Sequence, residues 1–205
     1  MRRLRWHAST TLLAYVCLFC GLPGGVQPSA ALAVSKAKRV YAFKLTKPVE
    51  SGDRRFEDDS IAITFQVDPA QLAFTLFNKT DGPIKILWND VSYVDVDGSA
   101  HKVLHAGVKY IDANSQLPPV VVPPTAKAED IILPSDYVSY DKGYYGRYIS
   151  MPGGWKLTPL FPKADKKEAL AYDNRTFAVF MPLEINGTVK NYNFVFSMSI
   201  VEISK

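Results

Sequence analysis

An asparagine–glycine pair flanked on both sides by alternating apolar residues leaves a chain few options, and Asn186-Gly187 sits in such a frame. The pair readily takes the positive φ angles that a two-residue hairpin turn demands. Before it Phe177, Val179, Met181, Leu183 and Ile185 alternate, and after it Tyr192, Phe194, Phe196, Met198 and Ile200 do the same. Pairing Ile185 with Thr188 sets Met181 opposite Tyr192, Val179 opposite Phe194 and Phe177 opposite Phe196, so both apolar sets share one face. Pro182 then falls at a pair that exchanges no hydrogen bonds, and its missing N–H faces away from this partner. An edge or a bulge is expected on that side. A second bulge is expected after Ile200, where the alternation slips to Val201 and Ile203 and Glu202 is polar.

The same period of two recurs upstream. Ile61, Ile63, Phe65 and Val67 alternate, as do Leu72, Phe74 and Leu76. With a turn at Asp68-Pro69-Ala70-Gln71, Val67 opposes Leu72, Phe65 opposes Phe74 and Ile63 opposes Leu76, the signature of an antiparallel pair with one buried face. Ile84, Ile86 and Trp88 continue the pattern, but Val91 and Tyr93 fall on odd positions, so a bend or bulge is expected near Asn89-Asp90. A tight turn at Asp81-Gly82 would put Leu76 against Leu87 on the wrong face. The chain is therefore expected to cross to a second sheet after Asn78-Lys79-Thr80.

Asp97-Gly98 reads as a turn, with short strands expected around Val103 and over residues 108–111. The run Leu117-Pro118-Pro119-Val120-Val121-Val122-Pro123-Pro124 suits an edge strand or an extended segment, because proline cannot donate to a ladder. Another short strand is expected to end at Pro134. Residues 164–172 form the one plausible helix. The pattern predicts an all-β fold, a single immunoglobulin-like β-sandwich with long irregular loops and at most one short helix, with a barrel as the alternative.

The N-terminus reads differently. Arg2, Arg3 and Arg5 precede an apolar run over residues 8–22, and Ala31-Leu32-Ala33 offers a small-x-small cleavage pattern. Residues 1–33 are expected to be a cleaved signal peptide and residues 34–205 one exported domain. The alternative is a lipid anchor at Cys20, although Phe19 is larger than the small residue that usually precedes a lipidated cysteine. Cys17 and Cys20 are the only cysteines, so the expected mature domain has no thiol for a disulfide, a nucleophile or a thiolate metal site. The whole chain carries a formal charge of +4, but with the three leader arginines removed from its 24 basic residues, 21 face 20 acids, a net of +1. That balance implies no nucleic-acid partner.

Phe74-Thr75-Leu76-Phe77-Asn78-Lys79-Thr80-Asp81-Gly82-Pro83-Ile84-Lys85-Ile86-Leu87-Trp88, followed by Ser92-Tyr93-Val94-Asp95, Gly98, His101, His105 and Gly107, resembles uncharacterised bacterial envelope proteins, often lipoproteins, with immunoglobulin-like sandwich domains. Counting Pro123-Pro124, Asp130 and Leu160-Phe161-Pro162, the resemblance covers most of the expected mature chain. These are packing and turn residues, so the resemblance implies fold and a periplasmic or envelope location, and no activity.

Two stretches invite a functional reading. Residues 137–155 hold Tyr140, Tyr144, Tyr145, Arg147, Tyr148 and Trp155 among glycines. Large rings give contact area at low entropic cost, so this stretch is a candidate irregular loop for an envelope protein or a glycan. Alternatively the rings cap one end of the core. His101 and His105, on one face of a strand near Asp95 and Asp97, would be the ligands of an exported metal-dependent protein or hydrolase; the competing reading is ordinary strand histidines. The calcium-loop pattern after Asp95 fails, since Ala100 and Ala106 stand where glycine and glutamate are required. No nucleophile motif or cofactor motif is evident. The expectation is a non-catalytic binding or structural module, with membrane contact only through a lipid at Cys20.

Overall fold

The computed structural model describes residues 38–112 and 115–203. The expected signal peptide, its cleavage point at Ala33 and the alternative anchor at Cys20 lie outside the described residues. The strands in chain order are β1 (Lys38–Lys47), β2 (Arg55–Glu57), β3 (Ile61–Val67), β4 (Leu72–Asn78), β5 (Ile84–Ile86), β6 (Ser92–Val94) and β7 (Ala100–Leu104). They continue with β8 (Val120–Val122), β9 (Lys127–Pro134), β10 (Val138–Tyr145), β11 (Ser150–Leu157), β12 (Thr176–Ile185) and β13 (Thr188–Ile203). Short 3-10 turns are the helical elements of the described residues, so the fold is all-β.

One sheet runs in the order β1-β13-β12-β6-β7-β9-β4-β3-β2, with β5 joining β12 beside β6 and β8 joining β5. Its two halves face each other across the core. The Phe65 ring on β3 meets Phe194 and Phe196 on β13 at centroid distances of 4.9 and 5.1 Å, all three fully buried. Rings at such separations contribute beyond their area. Arg54, at φ 58°, brings the sheet's two ends together: its side chain donates to Phe65 O at 3.1 Å and to Phe43 O on β1 at 3.3 Å. The sheet thus nearly closes on itself, in the manner of a barrel.

Where register depends on local alternation, sequence and structure agree. Phe65 pairs with Phe74 and Val67 with Leu72. Ile185 pairs with Thr188, Val179 with Phe194 and Phe177 with Phe196. Asn186 and Gly187 take φ angles of 51° and 76°, as this turn requires. The phase change after Trp88 is a 3-10 turn, Trp88–Asp90, which keeps Ile84, Ile86, Trp88, Val91 and Tyr93 all buried. The chain does cross after Asn78, but to the facing half of the same sheet rather than to a second sheet: β4 pairs with β3 and β9 whereas β5 pairs with β12 and β8. The proline-punctuated segment supplies β8 as an outer strand on β5.

Other expectations are corrected. Pro182 lies at neither an edge nor a bulge but at a gap: β12 pairs with β6 over Ala178–Phe180 and with β5 over Leu183–Ile185, leaving Met181 and Pro182 between the two partners. The missing N–H costs no ladder bond there, and Pro182 O still accepts from Leu87 N at 3.2 Å. No bulge follows Ile200, because β13 stays in register with β1 through Ile203; the shift falls on β1 between Leu45 and Lys47. The alternation fades there because Val201 and Ile203 are exposed, so no core imposes a period. Residues 108–111 are no strand, and Tyr110–Asp112 forms a 3-10 turn. The expected helix is the 3-10 segment Lys167–Tyr172.

Candidate functional site

The stretch expected to be an irregular loop is instead a twisted hairpin. β10 and β11 pair only with each other among the described residues, with Tyr140 opposite Trp155 and Tyr144 opposite Met151. Alternation places Val138, Tyr140, Lys142 and Tyr144 with Met151, Trp155 and Leu157 on one face. Tyr145 lies on the other, and Tyr148 and Ile149 lie in the connecting turn, closed by Gly146 N donating to Ile149 O at 2.9 Å. Glycine is required at two points. Gly143 sits at φ +71°, and a Cβ there would lie 2.4 Å from Met151 O; a Cβ on Gly153, across the hairpin, would lie 2.5 Å from Asp141 O.

The rings do not cap the core. Tyr144 is 64% exposed, Tyr145 75% and Tyr148 90%. Ile149 and Met151 beside them are exposed to 65% and 62%. At the foot of the same face Trp155 meets Tyr140 edge-on at 5.2 Å and Tyr110 at 5.5 Å. Tyr110 was not singled out from the sequence, where it read as part of a strand.

Both legs of the hairpin are fixed. Tyr137, just before β10, packs on the core, and Tyr137 O accepts from Thr158 N at 2.8 Å after β11. Leu160 and Phe161 then enter the core, with Leu160 N donating to Pro69 O. Below the hairpin, the 3-10 turn Ser135–Tyr137 is tied by His101, whose Nδ1 lies 2.7 Å from Asp136 Oδ2 and whose Nε2 lies 3.1 Å from Asp95 Oδ2. Burial pushes the His101 pKa down, but the hydrogen bonds to Asp136 and Asp95 outweigh it and raise the value. Within the hairpin Asp141 pairs with Lys156, which holds the carboxyl below its usual range.

The histidines expected to share a face are separated. His101 lies within β7, whereas His105 follows its end, stacks on Trp88 at 4.4 Å and contacts Asp130 at 3.3 Å without hydrogen-bond alignment. Asp97 turns to Arg175 at 3.0 Å. The carboxylates of Asp95 and Asp136 meet opposite nitrogens of the His101 ring, so they do not converge on one point. Among the described residues no group of three or more His, Cys, Asp or Glu side chains is arranged to hold a metal ion.

No family model, curated protein or solved structure matches this chain. The hairpin must therefore be read from its own chemistry. From residue 142 to residue 164 the sequence contains no Asp, Glu, Asn, Gln or His, while Lys142, Arg147, Lys156 and Lys163 are basic. The one acid of the hairpin, Asp141, is paired with Lys156, so beyond that pair the projection offers exposed rings and the basic Lys142 and Arg147.

Proposed function

We propose that this is an exported, non-catalytic protein of the bacterial periplasm or cell envelope, a binding module that engages an envelope component through the β10–β11 hairpin. The arginine-rich start and following apolar run support export, and the resemblance over residues 61–107 supports the envelope. The pairing of β4 with β9 and of β12 with β13 and β5, with crossings between β4 and β5, supports reading the curled sheet as an immunoglobulin-like sandwich variant. Such folds host many unrelated functions, so fold alone assigns none.

The observation that carries the proposal is the exposure of Tyr144, Tyr145, Tyr148 and Trp155 on a hairpin whose flanking residues Tyr137, Leu160 and Phe161 pack into the core. Exposed clustered rings lose apolar contact with water only by meeting something else. The test is capture from the envelope fraction of the source organism, comparing wild type with a folded variant carrying Tyr144→Ala, Tyr145→Ala and Trp155→Ala. A component retained by wild type and lost by the variant supports the proposal. Identical recovery by both proteins, or recovery of nothing by either, refutes it.

A further inference from the structure

The composition of the hairpin tip narrows its partner. Sugar-binding platforms pair a ring with carboxylate or amide side chains that grip hydroxyls; the one such group of the hairpin, Asp141, is engaged by Lys156, and residues 142–164 contain no other. Protein hot spots sit inside a mixed polar rim that shuts out water, whereas the charged side chains flanking this tip, Lys142 and Arg147, are of one sign. Apolar and aromatic side chains instead surround it: Tyr144 and Met151 on one face, Tyr145 on the other, Tyr148 and Ile149 in the turn. Tyrosine and tryptophan favour the boundary between hydrocarbon and headgroups, because one end of each ring is apolar and the other wet. Lys142 and Arg147 flank the tip with no acid among residues 142–149, so the local charge is complementary to an anionic surface. Among the described residues no helix is long and apolar enough to cross a membrane.

We propose that the tip of the β10–β11 hairpin docks on an anionic lipid bilayer, with Tyr144, Tyr148, Ile149 and Met151 entering the interface while Lys142 and Arg147 meet the headgroups. The inference rests on the hairpin being the binding surface. It differs from lipidation at Cys20, because the hairpin itself contributes the affinity. A basic side chain near an anionic surface is worth roughly fivefold in binding, and the electrostatic share weakens with salt. The apolar share depends on the tip side chains.

The test is co-sedimentation of the purified full chain with vesicles of pure phosphatidylcholine and of equal parts phosphatidylcholine and phosphatidylglycerol. Every variant keeps the same N-terminus, so any contribution from that end is common to all. Expected are tighter binding to the phosphatidylglycerol vesicles, a roughly fivefold loss in Arg147→Gln, and a larger loss in Tyr148→Ser combined with Ile149→Ser. Lys127→Gln, at the opposite end of β9 from the hairpin, should bind like wild type. Thermal melts identify variants that fold, and the exposed positions of the tip make folding the expected outcome. Undiminished binding by the folded tip variants overturns the inference, as does equal binding to both kinds of vesicle. If vesicles are ignored while an envelope protein is still captured through the tip, the lipid inference fails and the binding-module reading stands. If neither binds, both fail.

Discussion

Asn78 Nδ2 donates to Val122 O at 3.0 Å from a fully buried side chain, joining the end of β4 to the end of β8. The same nitrogen reaches Gly82 O at 2.8 Å and Pro123 O at 3.0 Å, while Oδ1 accepts from the Thr80 backbone N–H and hydroxyl. One carboxamide thereby satisfies the backbone where the chain crosses between the halves of the sheet. Gly82 packs so closely on the Asn186 side chain that a Cβ would lie 2.5 Å from its Oδ1.

Replacing Asn78 should therefore be costly. Asn78→Ala takes this donor from the buried Val122 O and the acceptor from Thr80, while Gly82 O keeps Thr80 Oγ1 and Pro123 O keeps Ala126 N, and Asn78→Asp turns a carboxylate toward the carbonyls. We expect losses of about 2–3 kcal/mol for alanine and more for aspartate at neutral pH, measured by urea unfolding. A loss under about 0.5 kcal/mol for both would show that the crossing does not depend on this side chain.

Asp58 should govern part of the acid limb of stability. Its Oδ1 accepts from Ser60 N and Ile61 N, each at 2.8 Å, and its Oδ2 from Lys190 Nζ at 2.7 Å and Tyr192 Oη at 2.8 Å. Burial pushes its pKa up, but these bonds, led by Lys190, outweigh burial and hold it at about 2, against an ordinary 3.8. A lowered pKa means the stabilisation is present above 3.8 and is lost as pH falls toward about 2. Asp58→Ala should cost about 1–3 kcal/mol at neutral pH, with the gap to wild type narrowing across that window in paired melts.

His101 should make the foot of the hairpin pH-sensitive in the opposite sense. Its raised pKa means the tie to Asp95 and Asp136 is at full strength below 6.5 and weakens as pH rises through the raised value. The Asp95 carboxyl is pushed up by burial but lowered on balance by the Ser99 N–H and His101, so its share is lost only as pH falls below 3.8. Amide exchange at residues 135–138 should therefore be slowest between about pH 4 and 6.5 after correction for intrinsic rates, and His101→Gln should remove the alkaline loss. An NMR titration placing His101 below its ordinary value would contradict this.

The hairpin rings and the core rings should respond oppositely to truncation. Tyr144→Ala, Tyr145→Ala and Tyr148→Ala remove exposed groups and should each change stability by less than about 0.5 kcal/mol. Phe65→Ala removes a fully buried ring in contact with Phe194 and Phe196 and should cost about 3–5 kcal/mol. Denaturant midpoints measure both. A large loss at the tyrosines would mean that the rings hold the fold.

What the amino-acid order determined by itself was strand pairing between neighbours. Phe65 against Phe74 and Val179 against Phe194 were legible because a short turn fixes register and one buried face imposes a period of two. The turn at Asn186-Gly187 and the crossing after Asn78 were legible for the same local reason. Tertiary structure decided the rest. That β1 pairs with β13, that Pro182 falls between two partner strands, and that Arg54 ties both ends of the sheet depend on segments far apart in the chain, whose contacts leave no mark in local pattern. The hairpin was legible as a concentration of rings but not as strands, because with both sides exposed no core selects which residues alternate. His101 and His105 stood four apart in sequence, yet β7 ends between them; Asp95, expected beside His101, is there, whereas Asp136 and Asp130 came from elements that only folding brought near.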